Sequence, residues 1–222
     1  MKPYLFSAAG VYLAAVLALP GACDQPFKST PNPSLSSSSE TPETPKTPAF
    51  SQLQPDKDYV ILIDAYDDIK RLSKLAGFSG EYGHIEAVRN GMIYGCRPPK
   101  CSQISLSELE QKFSGHKFEL RAVDSTGDPK KAVQWFARNL EGRAYDLLYR
   151  NCTDAVVGMY HAAGDRIRPL RPVEVDRTYA ANAPLREFMA QQGIAKPERS
   201  TVFFPDQFTQ VGKLMARGRL SR

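Results

Sequence analysis

The sequence predicts an α+β domain with a small antiparallel sheet, and three observations carry that expectation. Residues 59–63, Tyr-Val-Ile-Leu-Ile, form a short apolar β-type run. Asn90-Gly91 stands between two further strand-like runs, and Asp128-Pro129 opens a helical stretch. Short strands joined by a tight turn pair as antiparallel neighbours, and amphipathic helices then cover the faces of the sheet.

Taken in order, residues 67–75 read as a helix, with Ile69, Leu72 and Leu75 at helical spacing. Gly77, Gly80 and Gly83 punctuate the loop that follows. Runs at 84–89 and 92–96 flank Asn90-Gly91, the strongest short-range signal for a hairpin. Residues 105–113 read as a helix capped by Ser105 or Ser107, with Glu108 in its first turn, and residues 116–123 read as a strand. Asp128 caps the next helix and Pro129 occupies its first turn. Val133, Phe136 and Leu140 lie along one face, and Gly142 closes it. Another helix starts near Asn151 and runs through Val156 and Tyr160 to Gly164. Beyond it Pro169, Pro172, Pro184, Pro197 and Pro205 cut the chain into short pieces. Helices are expected at 183–192 and at the C-terminus.

The domain is expected to occupy residues 56–222 of the 222. Ahead of it, Lys2 precedes an apolar run at 5–19, then Pro20, Gly21, Ala22 and Cys23. This order reads as a signal peptide over 1–22, with an uncleaved anchor as the alternative. Gly21-Ala22-Cys23 resembles a bacterial lipobox, although Pro20 stands where that motif has leucine. The resemblance implies that Cys23 is lipidated and that the chain is tied to a membrane in the bacterial periplasm. Residues 24–55, with four consecutive serines at 36–39 and three Thr-Pro steps, have little to bury and read as a disordered tether.

The formal net charge is +5, with a mild basic excess at Lys213, Arg217, Arg219 and Arg222. This reads as a solvated surface rather than a nucleic-acid site, with weak attraction to anionic headgroups as the sharper alternative. The sequence carries no cofactor signature.

Four cysteines divide unevenly. Cys23 belongs to the lipobox. Cys96 and Cys101 flank Arg97-Pro98-Pro99-Lys100, a stiff turn that suits a local disulfide. A metal site is the competing reading, but no second cysteine or histidine pair stands at useful spacing. Cys152 is left over as an inert buried thiol, an intermolecular partner or a nucleophile. Its place at a helix start favours the nucleophile, because free backbone N–H groups there stabilise a thiolate and an oxyanion.

Gly83-His84-Ile85-Glu86-Ala87-Val88, the Asn90-Gly91 hairpin and Tyr145-Asp146-Leu147-Leu148-Tyr149-Arg150-Asn151-Cys152-Thr153 resemble the circularly permuted papain-like thiol enzymes. That group includes lecithin:retinol acyltransferase-like proteins and the periplasmic domain of Lnb-type lipoprotein acyltransferases. The resemblance spans residues 83–164, with the histidine strand ahead of the cysteine helix. It implies a sheet packed on a helix that bears the nucleophile at its N-terminus. It also implies Cys152 as nucleophile, His84 as base and a thioester acyl-enzyme. The substrate would be an envelope lipid ester, lipoprotein or peptidoglycan amide.

The family's third, orienting residue is not matched. An Asn-Gly turn sets Arg97 opposite His84, and a guanidinium accepts no proton. Glu86, on the same face as His84, and Glu119, on the next strand, are the candidates. His116 reads as a surface residue, His161 lies too far along the cysteine helix to serve as base, and Trp135 and Phe136 read as packing residues. The unmatched position keeps a second reading open, a catalytically inactive papain-like binding module of the envelope.

Overall fold

The computed structural model describes residues 47–167, 170–191 and 201–221. The expected signal peptide, Cys23 and the tether up to residue 46 lie outside the described residues.

In chain order the elements are β1 (Asp58–Ile63), α1 (Asp67–Leu75), β2 (His84–Arg89), β3 (Met92–Arg97), β4 (Lys100–Ser105), α2 (Leu106–Lys112) and β5 (Lys117–Val123). Then come α3 (Pro129–Asn139), α4 (Cys152–Ala163), β6 (Val173–Glu174), α5 (Val175–Ala181), α6 (Ala183–Gln191), β7 (Thr201–Val202) and β8 (Lys213–Arg219). Six strands form one antiparallel sheet in the order β4-β3-β2-β1-β5-β8. The α+β expectation holds.

The residues explain the layers. Val60 and Leu62 of central β1 face α3 and α4, while Ile61 and Ile63 face α2 and Phe50. Both faces are covered, so the strand is apolar at every second-face position as well. Asn90 and Gly91 both take positive φ, 51° and 71°, as the two-residue hairpin turn requires. Asp128 caps α3 by accepting from the Lys130 N–H, and Pro129 opens the helix. A smaller apolar cluster joins Leu72 of α1 to Leu185, Phe188 and Met189 of α6.

Three regions differ from expectation. The C-terminal residues are strand β8 and not a helix. Lys-Leu-Met-Ala-Arg is a good helix sequence, but pairing with β5 outweighs that local preference. Polar β4 is a strand that local propensity does not announce; its pairing with β3 extends the Cys96–Cys101 hairpin. The ordered domain also begins earlier than residue 56. Residues Pro48–Gln52 form a 3₁₀ turn that buries Phe50 (3% exposed), and the Thr47 N–H donates to Glu110 at 2.5 Å.

Candidate active site

Cys152 is the first residue of α4, and the turn before it is heavily tied. Asp146 Oδ1 accepts the N–H groups of Leu148 and Tyr149, both at 2.9 Å. Asn151 caps the helix by accepting the Asp154 N–H at 3.0 Å, and its own amide donates to the Leu147 carbonyl at 3.0 Å. Thr153 Oγ1 lies within bonding distance of Asn151 Oδ1 (2.7 Å) and the Phe203 carbonyl (3.0 Å). The nucleophile candidate therefore sits on a fixed backbone.

Its thiol is buried, and burial pushes it up to about 12. The Ile85 N–H hydrogen-bonds to the sulfur and works against that rise. The Glu86 and Asp154 carboxylates add to the rise, and the Thr153 N–H opposes it. Cys152 at rest is thus a neutral thiol with two backbone donors beside it.

His84 begins β2, one residue from that Ile85 donor. Its Nε2 is 2.5 Å from Glu86 Oε1, and Arg97 Nη1 donates to the same oxygen at 2.5 Å. Arg97 Nη2 donates to the Ser102 carbonyl at 2.6 Å and lies 2.8 Å from its hydroxyl. All three charged or polar groups, His84, Glu86 and Arg97, are buried. Burial alone would raise the Glu86 carboxyl, but His84 and Arg97 outweigh it and hold the group below the ordinary carboxylate range. Opposite Glu86, a Cβ on Gly95 would fall 1.5 Å from Oε2, so only glycine leaves room for the carboxylate.

Of the two orienting candidates, the histidine's partner is Glu86. Glu119 lies on the α4 face of the sheet, where it accepts from the Tyr82 hydroxyl at 3.0 Å, from Arg121 and from Arg217 at 2.9 Å. Arg97 is not an acceptor, and it serves instead as the clamp on Glu86.

No protein-family model, curated protein or solved structure matches the chain.

The His84 and Cys152 side chains reach Ile85 from different sides. Ile85 and Ala87 belong to the core under α4. Alternation along the strand therefore puts His84 and Glu86 on the other face. There the His84 ring packs between Tyr66 (5.0 Å, edge-on) and Phe113 (5.2 Å). Among the described contacts no hydrogen bond joins His84 to Cys152. Tyr66 bridges the two regions electrostatically. Its hydroxyl is pushed up to about 12 by burial first and then by Glu86 and Cys152. Tyr66 also holds a positive φ of 60°, uncommon for a residue with a bulky side chain.

Sequence reasoning missed Asp206. Its buried carboxylate accepts from the Ser73 and Ser79 hydroxyls and from the N–H groups of Gly80, Glu81 and Tyr82. It thereby pins the loop that delivers His84. Nothing local marks it, because its partners lie more than 120 residues earlier.

A small apolar cleft opens at Cys152, walled by Ile69, Leu72, Tyr145, Leu148, Val202 and Phe204. A second cleft shares Leu72, Leu148, Val202 and Phe204 and continues towards Val175, Leu185 and Met189. The other singled-out residues resolve plainly. Cys96 and Cys101 form a disulfide across the β3–β4 pair. His116 Nδ1 contacts Asp64 at 3.0 Å with the ring 43% exposed. His161 is exposed on α4. Trp135 and Phe136 pack against α4 and the sheet. Among the described residues no cluster of three or more His, Cys, Asp or Glu is placed to hold a metal.

Proposed function

We propose that this chain is a cysteine acyl hydrolase or acyltransferase of the bacterial cell envelope, with a circularly permuted papain-like fold and a lipid anchor at Cys23. The observation that carries the reading is the buried His84–Glu86–Arg97 chain, one residue from the backbone donor that touches the Cys152 sulfur. A carboxylate held by a guanidinium and aimed at an imidazole is the means by which hydrolases orient a base. It commits Nε2 to Glu86 and leaves Nδ1 as the nitrogen able to take a thiol proton.

In the proposed reaction Cys152 Sγ attacks an acyl carbonyl while its proton passes to His84. The C–O or C–N bond breaks, the leaving alcohol or amine takes that proton, and a thioester remains. Water then gives hydrolysis, and another alcohol or amine gives transfer. The resting thiol is neutral, so substrate entry has to bring sulfur and imidazole into hydrogen-bond distance first. The apolar walls at Cys152 favour an acyl chain over a muropeptide.

The test is to incubate pure protein with phospholipid and, separately, with muropeptides, following acyl or amide release. Release lost in both Cys152→Ala and His84→Asn supports the proposal. Inertness to both substrates, or release that survives Cys152→Ala, counts against it.

One observation favours a second reading, a catalytically inactive binding module: among the described residues no hydrogen bond joins the sulfur to the imidazole, and the two sit on opposite faces of β2. A binding module keeps its biological effect in Cys152→Ala, whereas an enzyme loses it.

A further inference from the structure

Strand β8 is the outermost strand of the sheet, and among the described residues no strand covers its free edge. An uncovered edge is normally blunted by charge or irregularity, and β8 has both. Lys213, Arg217 and Arg219 are exposed along it, and Lys117 is exposed on the neighbouring strand opposite Arg219. Arg217 is held by buried Glu119 and Arg219 by the Gly115 carbonyl. The ammonium groups of Lys117 and Lys213 form no ion pair among the described residues.

Charge is only half of the pattern. The pairing of β5 with β8 slips at Leu120/Arg121, so Met215 is the extra residue of a bulge. Met215 is 46% exposed and its neighbour Leu214 is 38% exposed; with Tyr149 they are, among the described residues, the large apolar side chains most open to solvent. Two apolar side chains framed by cations suit the boundary between lipid headgroups and acyl chains better than they suit bulk water.

The end of this strand also lies where the chain enters the domain. Ser221 N donates to Thr47 Oγ1 at 3.3 Å, and the two hydroxyls are 3.2 Å apart. Thr47, the first described residue, thus lies at the end of β8.

We propose that the β8 edge is a docking surface for an anionic phospholipid headgroup layer. Lys117, Lys213, Arg217 and Arg219 engage the headgroups, and Leu214 and Met215 enter the interface. Thr47 lies at the end of the same strand, so a chain tied to a membrane upstream of it would rest with this edge against its own bilayer. The surface stands apart from the chemistry at Cys152, and its test involves no turnover.

The full chain carrying Cys23→Ser, which no lipid can hold, is sedimented with vesicles of phosphatidylglycerol and phosphatidylcholine or of phosphatidylcholine alone. Each basic residue near an anionic surface changes partition by roughly fivefold. The pair Lys213→Glu and Arg219→Glu is therefore expected to weaken binding to the anionic vesicles by roughly 25-fold or more. Binding of the parent should also fall steeply at about 0.5 M salt. Leu214→Ser with Met215→Ser, both exposed and so harmless to the core, should weaken binding with an unchanged melting temperature. Because every variant shares one N-terminus, its own membrane affinity cancels. Equal binding to both vesicle types, or binding indifferent to both pairs of substitutions, overturns the proposal. So does a concentration-dependent dimer lost in the same variants, which would make the edge a contact between two copies.

Discussion

The Glu86 carboxylate and the His84 imidazole, two residues apart on one face of β2, meet at 2.5 Å through Oε1 and Nε2. The spacing follows from strand geometry, which returns a side chain to the same face every second residue. Arg97 on the adjacent strand then locks the carboxylate, so the imidazole has little rotational freedom.

Replacing Glu86 by Gln keeps shape and an acceptor but removes the negative charge that would stabilise an imidazolium. We expect kcat for acyl release to fall about 100-fold with KM little changed. A merely structural role would instead lower the melting temperature and leave kcat of the folded fraction intact.

Glu86 and Cys152 should also shape stability against pH, with opposite signs. Glu86 is held below its unfolded value of 4.5, so its contribution is present above that pH and is lost as pH falls through the lower folded value. Cys152 is raised from 9.0 to about 12, so its contribution is present below pH 9 and is lost as pH rises towards 12. Urea midpoints measured across pH should therefore decline on both flanks. Tyrosines raised by burial, Tyr66 among them, slope the alkaline flank in every variant, so the thiol is read from the difference. An alkaline decline as steep in Cys152→Ala as in wild type would contradict the buried neutral thiol.

The same shift predicts slow alkylation. With the thiol raised from 9.0 to about 12, the thiolate fraction at pH 8 is roughly a thousandfold lower than in the unfolded chain. Iodoacetamide labelling of Cys152, read by mass spectrometry with and without urea, should be far slower in the native protein, burial of the sulfur acting in the same direction. Rapid labelling of the native protein at neutral pH would mean that a thiolate–imidazolium pair already exists in the resting state.

Asp206→Ala strands two hydroxyls and three backbone N–H groups around a buried site. A loss of about 3 kcal/mol is expected, with Asp206→Asn milder. Amide exchange should accelerate first at residues 80–82, and uniform acceleration across the sheet would argue that Asp206 is no local staple.

Gly158→Ala tests the packing of α3 on α4. Alanine improves helix propensity by about 1 kcal/mol, but its Cβ would lie 2.0 Å from the Trp135 ring. Overpacking at about 1–3 kcal/mol should win, giving a lower melting temperature. A rise would show that Trp135 swings aside freely.

Much of this molecule was legible because its signals are local. Asn90-Gly91 dictates its turn, Asp128-Pro129 and Asn151 dictate helix starts, and the period of two places Glu86 beside His84. The Cys96–Cys101 disulfide was suggested by the stiff turn between the two cysteines, with a metal site as the competing reading. What stayed hidden depends on partners far along the chain. Asp206 finds its donors at residues 73–82, β8 becomes a strand only by joining β5, and Phe50 is buried only once the sheet exists. The relation of His84 to Cys152 was equally illegible, since motif order does not say from which side of a strand two side chains arrive.

The Thr47–Ser221 contact closes the two ends of the domain on each other. A short linker across that seam would make the fold an endless ribbon, free to be opened at any exposed turn, Asn90-Gly91 among them, with every strand keeping its neighbours. Opened at such a turn, the ribbon would present its strands and helices in a different chain order while each kept the same neighbours.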